Sequence, residues 1–237
     1  MYKERMVRFI CPTLAAQKVG DSITLSPEDA RHAKVLRVRE GENVELLNMA
    51  GVKAEGIYSK AGIVLNKLQK IPRGEKSIRL CVGLTQGGTF DQIVRQAAEL
   101  GCENFLPVLS QKASPIGEAK RLEGKLARWR KISEEVCKQS GRAWKMEVEQ
   151  ALDFPEALKK CATALNIVAA LVEDSRPLSH LKSPSQEVTL WVGPEGDFSD
   201  EEYRELKKSG AQFATLGENI LRTETAVVVA LAILKSL

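Results

Sequence analysis

Two stretches in the last fifth of the chain carry the residue types best suited to chemistry. One is Trp191-Val-Gly-Pro-Glu-Gly-Asp-Phe-Ser199; the other is Leu216-Gly-Glu-Asn-Ile-Leu-Arg-Thr-Glu-Thr-Ala226. Each follows a short apolar run and leads into a helical pattern. Two such turns, close in sequence, form one pocket when their strands are parallel neighbours. Gly193 and Gly196 let a ligand approach backbone amides and carbonyls, Pro194 stiffens the turn, and Glu195 is presented by it. In the second stretch, Thr223 or Thr225 is placed to cap a helix, and Glu224 in the first turn complements its dipole. Arg222 gains nothing from the positive end of a helix. It reads instead as a group that binds a carboxylate, a phosphate or a base carbonyl.

Several chemistries are disfavoured by the same residues. Gly193-Pro-Glu-Gly196 lacks the three-glycine spacing that seats a dinucleotide, and no phosphate-loop lysine motif or GxSxG nucleophile elbow occurs. His32 and His180 are the only histidines, and the five cysteines (Cys11, Cys81, Cys102, Cys137, Cys161) are scattered without a CxxC. No metal site is expected, and the thiols fit a reduced, cytoplasmic protein. No apolar run approaches the ~20 residues of a membrane span. Met1-Tyr-Lys-Glu-Arg-Met6 has no apolar core behind it and does not read as a secretory signal.

The elements that must position these loops alternate strand and helix from Ser77 onward, which indicates a parallel α/β sheet. Strands are expected at Ile78–Leu84, Asn104–Leu109, Lys145–Glu149, Asn166–Val172, Val188–Val192 and Gln212–Leu216. Helices are expected after Thr89, over Glu118–Gln139, over Phe154–Lys160, after Ser199 and from about Thr223 to the end. Thr89-x-x-Gln92 and Ser199-x-x-Glu202 both have the form of a capping box. In the long helix, Leu122, Leu126, Trp129, Ile132 and Val136 share one face, so Trp129 reads as core. The last helix is apolar nearly all round, and must be buried in its own fold or against another subunit.

The first seventy residues have a different rhythm. Short alternating runs at Val7–Cys11, Ser22–Leu25, Asn43–Asn48, Val52–Ser59 and Ile63–Gln69 surround one helix opened by Ser26-Pro27, which suggests a small β-barrel. A stretch poor in apolar residues, 71–76, marks the linker. Residues 1–76 hold 14 Lys+Arg against 9 Asp+Glu, whereas the remainder holds 21 against 22. All the excess positive charge of the chain therefore lies in the first third, which suits a polyanionic partner such as RNA.

Taken together, the loops resemble those of the SPOUT superfamily of S-adenosylmethionine-dependent RNA methyltransferases. The family they look like methylates N3 of a uridine in 16S ribosomal RNA. Val192-Gly-Pro-Glu-Gly196 and Leu221-Arg-Thr-Glu-Thr-Ala226 carry the resemblance. Ala98-Glu-Leu-Gly101, Trp129-x-Lys131-Ile132, Gln139-Ser-Gly-Arg142 and Val35-Leu-Arg37 support it, in order along nearly the whole chain. The resemblance implies a PUA-like RNA-binding β-barrel over 1–72 and a SPOUT α/β methyltransferase domain over 77–237 with a C-terminal trefoil knot. It implies a homodimer acting on 16S rRNA or the small ribosomal subunit.

The family's cofactor, S-adenosylmethionine, would be held by three loops. Leu171 and Val172 come from the first and Gly193, Pro194, Glu195 and Gly196 from the second. The third supplies Leu216, Gly217, Ile220, Leu221, Arg222, Thr223, Thr225 and Ala226. Arg222 is the candidate for stabilising charge on a uracil carbonyl, and Glu195 or Glu224 for accepting the N3 proton. Arg8, Arg31, Lys34, Arg37, Arg39 and Arg142 are the candidate RNA contacts. The chain departs from the family pattern at Asp197, where glycine is usual, at Thr89 and Gln96, where lysines are usual, and across Trp144-Lys-Met146. Two other readings stay open: a relative acting on transfer RNA or ribose 2′-oxygen, and a non-catalytic rRNA-binding assembly factor.

Overall fold

The period-two apolar pattern of the first seventy residues becomes a five-stranded sheet in the computed structural model. The structure describes residues 6–113, 119–162, 164–181 and 187–237. Within it the chain divides into two units: residues 1–73 with 134–145, and residues 74–133 with 146–237.

In the first unit, β1 (Val7–Ile10), β2 (Ser22–Ile23), β3 (Asn43–Leu47), β4 (Val52–Ser59) and β5 (Gly62–Lys70) are ordered β1-β3-β4-β5-β2. The β1–β3 ladder is parallel and the others antiparallel. Alternation puts Val44, Leu46, Val52, Ala54, Ile63 and Leu65 on one face, where they close over Phe9 and Leu14. The register shifts at Glu55/Gly56. A Cβ on Gly56 would stand 2.6 Å from Ile63 Cγ2 and 2.7 Å from the Val64 carbonyl, so only glycine fits this crossing. Helix α1 (Pro27–Val35) opens as expected, with Ser26 Oγ accepting from the Asp29 amide at 3.1 Å.

Residues 134–145 complete this unit from a distant part of the chain. Arg8 Nη1 donates to the Gln139 carbonyl at 2.7 Å, Lys53 Nζ donates to that of Gly141, and Trp144 Nε1 donates to that of Ile71 at 3.0 Å. The Trp144 ring lies under the Arg73 guanidinium, 4.5 Å from its centroid.

The second unit is an eight-stranded parallel sheet. Its strands are β6 (Ser77–Gly83), β7 (Asn104–Leu109), β8 (Glu147–Val148), β9 (Leu152–Asp153), β10 (Leu165–Ala169), β11 (Arg176–Pro177), β12 (Glu187–Val192) and β13 (Gln212–Thr215). The order is β11-β13-β10-β12-β6-β7-β8, with β9 also pairing β7. Helices α2 (Thr89–Glu99), α3 (Ala119–Ser140), α4 (Phe154–Lys160), α5 (Asp200–Lys208) and α6 (Thr223–Ser236) connect or follow the strands, and α3 passes into the first unit from Glu134. The expected first residue of α3, Glu118, lies outside the described residues. The expected strand at Lys145–Glu149 shortens to two residues, because Lys145 instead donates its amide to the Met49 carbonyl.

β12 lies between β10 and β6, buried on both faces, and Trp191 on it is fully buried. Its indole donates to Asn166 Oδ1 at 2.8 Å, and the Asn166 amide donates to the carbonyls of Cys161 and Ala164. That satisfied network fixes β12 against β10, since an unpaired buried amide would cost about 1–3 kcal/mol. Trp129 is core, as its spacing indicates. It is 2% exposed, packs 4.4 Å from the Phe90 ring and donates to Asp91.

Of the two expected capping boxes, only that at Ser199–Glu202 forms, with both reciprocal bonds present. The Thr89 box does not form. Gly88 occupies the cap position and Thr89 is already helical, so its hydroxyl cannot reach back over the first turn. Among the described residues no helix is long and apolar enough to cross a membrane.

Candidate functional site

Four connections leave the carboxyl ends of neighbouring strands β6, β12, β10 and β13, and all four contribute to one cavity of about 580 Å³. Open parallel sheets place ligands at this edge, outside the strand ends where the order of strands reverses. Ala169, Ala170 and Leu171 come from the end of β10. Val192 to Glu195 and Asp197 come from β12, and Thr215, Leu216 and Asn219 to Arg222 from β13. Thr223, Glu224 and Ala226 come from the first turn of α6, and Thr89 from that of α2.

The β12 connection is held by its neighbours at nearly every residue. A Cβ on Gly83 would fall 2.4 Å from Pro194 Cδ and 2.7 Å from Pro194 N, so the end of β6 must be glycine for the turn to lie against it. Glu195 Oε1 accepts the Gln86 amide at 2.9 Å. Gly193 accepts at its carbonyl from the buried Thr223 hydroxyl at 3.0 Å. Asp197 adopts a left-handed backbone, φ 61°, and its Oδ1 accepts from the Phe198 amide at 2.8 Å and the Tyr203 hydroxyl at 2.7 Å. Burial first, and then this bond, push the Tyr203 phenol well above its ordinary range, so it stays a proton donor.

The β13 connection is less engaged. Arg222 is the cap residue of α6 by backbone position, makes no side-chain cap bond, and is exposed. Neither its side chain nor that of the half-buried Glu224 has a hydrogen-bond or ion-pair partner among the described residues. Ile220 is 89% exposed although it lines the cavity. The expected capping by Thr223 or Thr225 does not occur. Thr223 is one residue inside the helix, and its hydroxyl ties the two connections together instead.

Of the residues singled out from sequence, Leu171, Gly193, Pro194, Glu195, Leu216, Ile220, Leu221, Arg222, Thr223, Glu224 and Ala226 meet at this cavity. Val172, Gly196, Gly217 and Thr225 do not line it. Val172 turns away in a bend where its amide donates to Ser175 Oγ, and Gly196 lies against Lys112. Gly217 supplies a positive φ of 143°, and Thr225 projects outward one helical step from Glu224. Thr89, Ala169, Ala170, Val192, Asp197, Thr215 and Asn219 were missed. The last residues of β10, β12 and β13 were available from the strand-end rule; Thr89 lies beyond the end of β6, already in the first turn of α2, where its pattern reads as a cap.

The RNA candidates separate by environment. Arg31, Lys34, Arg37 and Arg39 are all exposed on α1 and the turn after it, beside the exposed Val35 and Leu36. Arg8 is half-buried, its guanidinium held by Glu45 at 2.5 Å and by the Gln139 carbonyl. Arg142 is half-buried and has interactions of its own. No group of three or more metal-ligating side chains occurs among the described residues.

The cavity suits S-adenosylmethionine on its own features. Its volume falls in the range of about 300–1,000 Å³ usual for small-molecule sites. Apolar walls from Leu171, Leu216, Ile220 and Leu221 accompany the carboxylates of Glu195, Asp197 and Glu224, which match a cationic ligand rich in hydroxyl donors.

Comparison with known proteins agrees. Residues 72–235 match the model of an RNA methyltransferase domain, and residues 25–62 that of an RNA methyltransferase PUA domain. Ribosomal RNA small subunit methyltransferase E of Aquifex aeolicus is 28% identical over 92% of this chain and 96% of its own. That of Synechocystis is 28% identical over 93% of this chain and 75% of its own. The crystal structure of the Neisseria gonorrhoeae enzyme bound to S-adenosyl methionine superposes with a TM-score of 0.85 at 29% identity, covering 98% of this chain and 97% of that one. A putative methyltransferase from Legionella pneumophila, in complex with the same cofactor, superposes with a TM-score of 0.84 at 25% identity, covering 98% of each. The chain belongs to the RNA methyltransferase family, with the PUA domain of that family on its N-terminal side.

Proposed function

We propose that this protein methylates N3 of a uridine in 16S ribosomal RNA, with S-adenosylmethionine as donor. The observation that carries the reading is the cavity at the carboxyl edge of the sheet, where an unpartnered Arg222 and Glu224 stand beside a fixed turn. Bound there, the cofactor supplies a methyl group already activated by its sulfonium. What remains for the chain is to orient the uracil and to handle one proton.

Leu171, Gly193 to Glu195, and Leu216 with Ile220, Leu221 and Thr223 hold the donor, and Arg222 contributes to that hold through its backbone alone. Arg222 stabilises the charge that builds on a uracil carbonyl as the N3 proton leaves. Glu224 accepts that proton: its carboxylate is free, whereas Glu195 is engaged with the Gln86 amide and serves to position the turn. Arg31, Lys34, Arg37 and Arg39 bind the RNA backbone.

The finer architecture belongs to the same reading. The barrel over 1–72 and the methyltransferase domain over 77–237, with a C-terminal trefoil knot, are the arrangement in which we place the chain. The knot is supported by β12, a late strand inserted between β10 and β6. A homodimer is supported by α6, whose Ala232 remains exposed and whose Val228, Val229 and Ile233 are only partly covered. The cytoplasm is the compartment that fits an rRNA substrate and five buried cysteines outside any disulfide.

The test is methyl transfer from labelled S-adenosylmethionine to small ribosomal subunits lacking the modification, followed by nuclease digestion and mass spectrometry of nucleosides. Labelled 3-methyluridine is the expected product. Label in any other nucleoside, or none despite cofactor binding, overturns the substrate assignment.

A further inference from the structure

Asp197 lines the cavity but belongs to none of the roles above. Its backbone is left-handed, a conformation that glycine adopts freely and aspartate only with local compensation. The compensation is visible: Oδ1 accepts from both the Phe198 amide and the Tyr203 hydroxyl. The same oxygen would stand 2.6 Å from a Cβ on Gly193, so the carboxylate lies directly over that residue of the donor turn. Oδ2 has no protein partner among the described residues. The Tyr203 phenol keeps its proton throughout the working range and therefore holds the carboxylate in place without neutralising it.

Charge around the cavity is unbalanced. Among its described lining residues are three carboxylates, Glu195, Asp197 and Glu224, against one guanidinium, Arg222. The donor and the product of methyl transfer differ by one charge at one atom: the donor sulfur is a sulfonium, and the product sulfur is a neutral thioether. A fixed anion at such a site distinguishes the two, because Coulomb attraction acts on the donor alone.

We propose that Asp197 is a specificity-determining residue of the donor site, whose fixed carboxylate favours the sulfonium donor over its thioether product. Product release is thereby eased without any movement of the turn. The inference rests on the donor-site reading above and adds to it a residue and a selectivity.

The experiment is calorimetric titration of the full-length protein with S-adenosylmethionine and, separately, S-adenosylhomocysteine, for the wild type, Asp197→Asn and Tyr203→Phe. Asparagine tolerates the left-handed backbone and keeps the Oδ1 acceptor, so the charge is removed, with an NH2 in place of Oδ2. Asp197→Asn is expected to weaken donor binding about tenfold and product binding by less than about threefold, the scale of one screened charge pair several ångströms apart. Tyr203→Phe keeps the charge, and is expected to keep the donor-to-product preference within about twofold even if both affinities fall. Equal losses for the two ligands in Asp197→Asn, or no loss for either, overturn the selectivity while leaving the donor site standing. A wild type that binds neither ligand overturns the donor-site reading, and this inference with it.

Discussion

The two connections that build the cavity differ in how their side chains are engaged. In the turn after β12, the Gly193 carbonyl, the Glu195 carboxylate and the Asp197 carboxylate each have a protein partner, and Pro194 packs against Gly83. In the turn after β13, Ile220 is exposed and Arg222 has no partner among the described residues, with Glu224 equally free just inside α6. The first is a seat whose groups are each anchored to the protein by at least one bond; the second presents groups that a ligand must satisfy. Satisfied polar groups stabilise a loop, whereas unsatisfied ones are available for chemistry. Thr223 joins the two, so the free groups are carried on a fixed base.

This contrast breaks most readily at Arg222. Arg222→Ala is expected to lower turnover about 10²–10³-fold while donor affinity changes less than about threefold, as for loss of a transition-state donor. Single-turnover methylation alongside calorimetry checks it, and near-normal turnover would remove Arg222 from the chemistry. Glu224→Gln should lower turnover by about 10²-fold, the low end of general-base contributions, with a stability loss of at most about 1 kcal/mol from the lost dipole interaction. If Glu195→Gln instead gave the larger loss at intact stability, the two carboxylates would exchange roles.

The satisfied turn should respond in stability rather than in turnover. Gly83→Ala drives a methyl group into Pro194 and is expected to cost about 1–3 kcal/mol in denaturant unfolding. Thr223→Val removes the buried bond to Gly193 and is expected to cost about 1–2 kcal/mol. A donor affinity unchanged in Thr223→Val would show that the two turns are held together by other contacts. The smallest effect should come from Lys207→Ala. Its ion pair with Asp174 is exposed on both sides, so the unfolding midpoint should stay within the measurement error of the wild type.

Much of the fold was legible because its signals are local. Strand β4 and helix α4 have the boundaries that alternation and capping indicate, and the Ser199–Glu202 box forms as written. What failed locally failed where a neighbour competed. Thr89 and Thr223 both look like caps, yet each lies one position inside its helix, displaced by Gly88 and Arg222. The ion pair of Arg8 with Glu45 joins residues distant along the chain, so no local pattern announces it.

The sequence by itself determined the element types, the two glycine-bearing turns and the first-third excess of positive charge, because periodicity, turn chemistry and charge need no distant partner. Only the tertiary structure decided which residues meet. It set β12 between β10 and β6, drew 134–145 back to the first unit, and gathered Thr89, Asp197 and Arg222 around one cavity. Those are contacts between residues distant along the chain, and no local propensity encodes which distant partner a side chain will find.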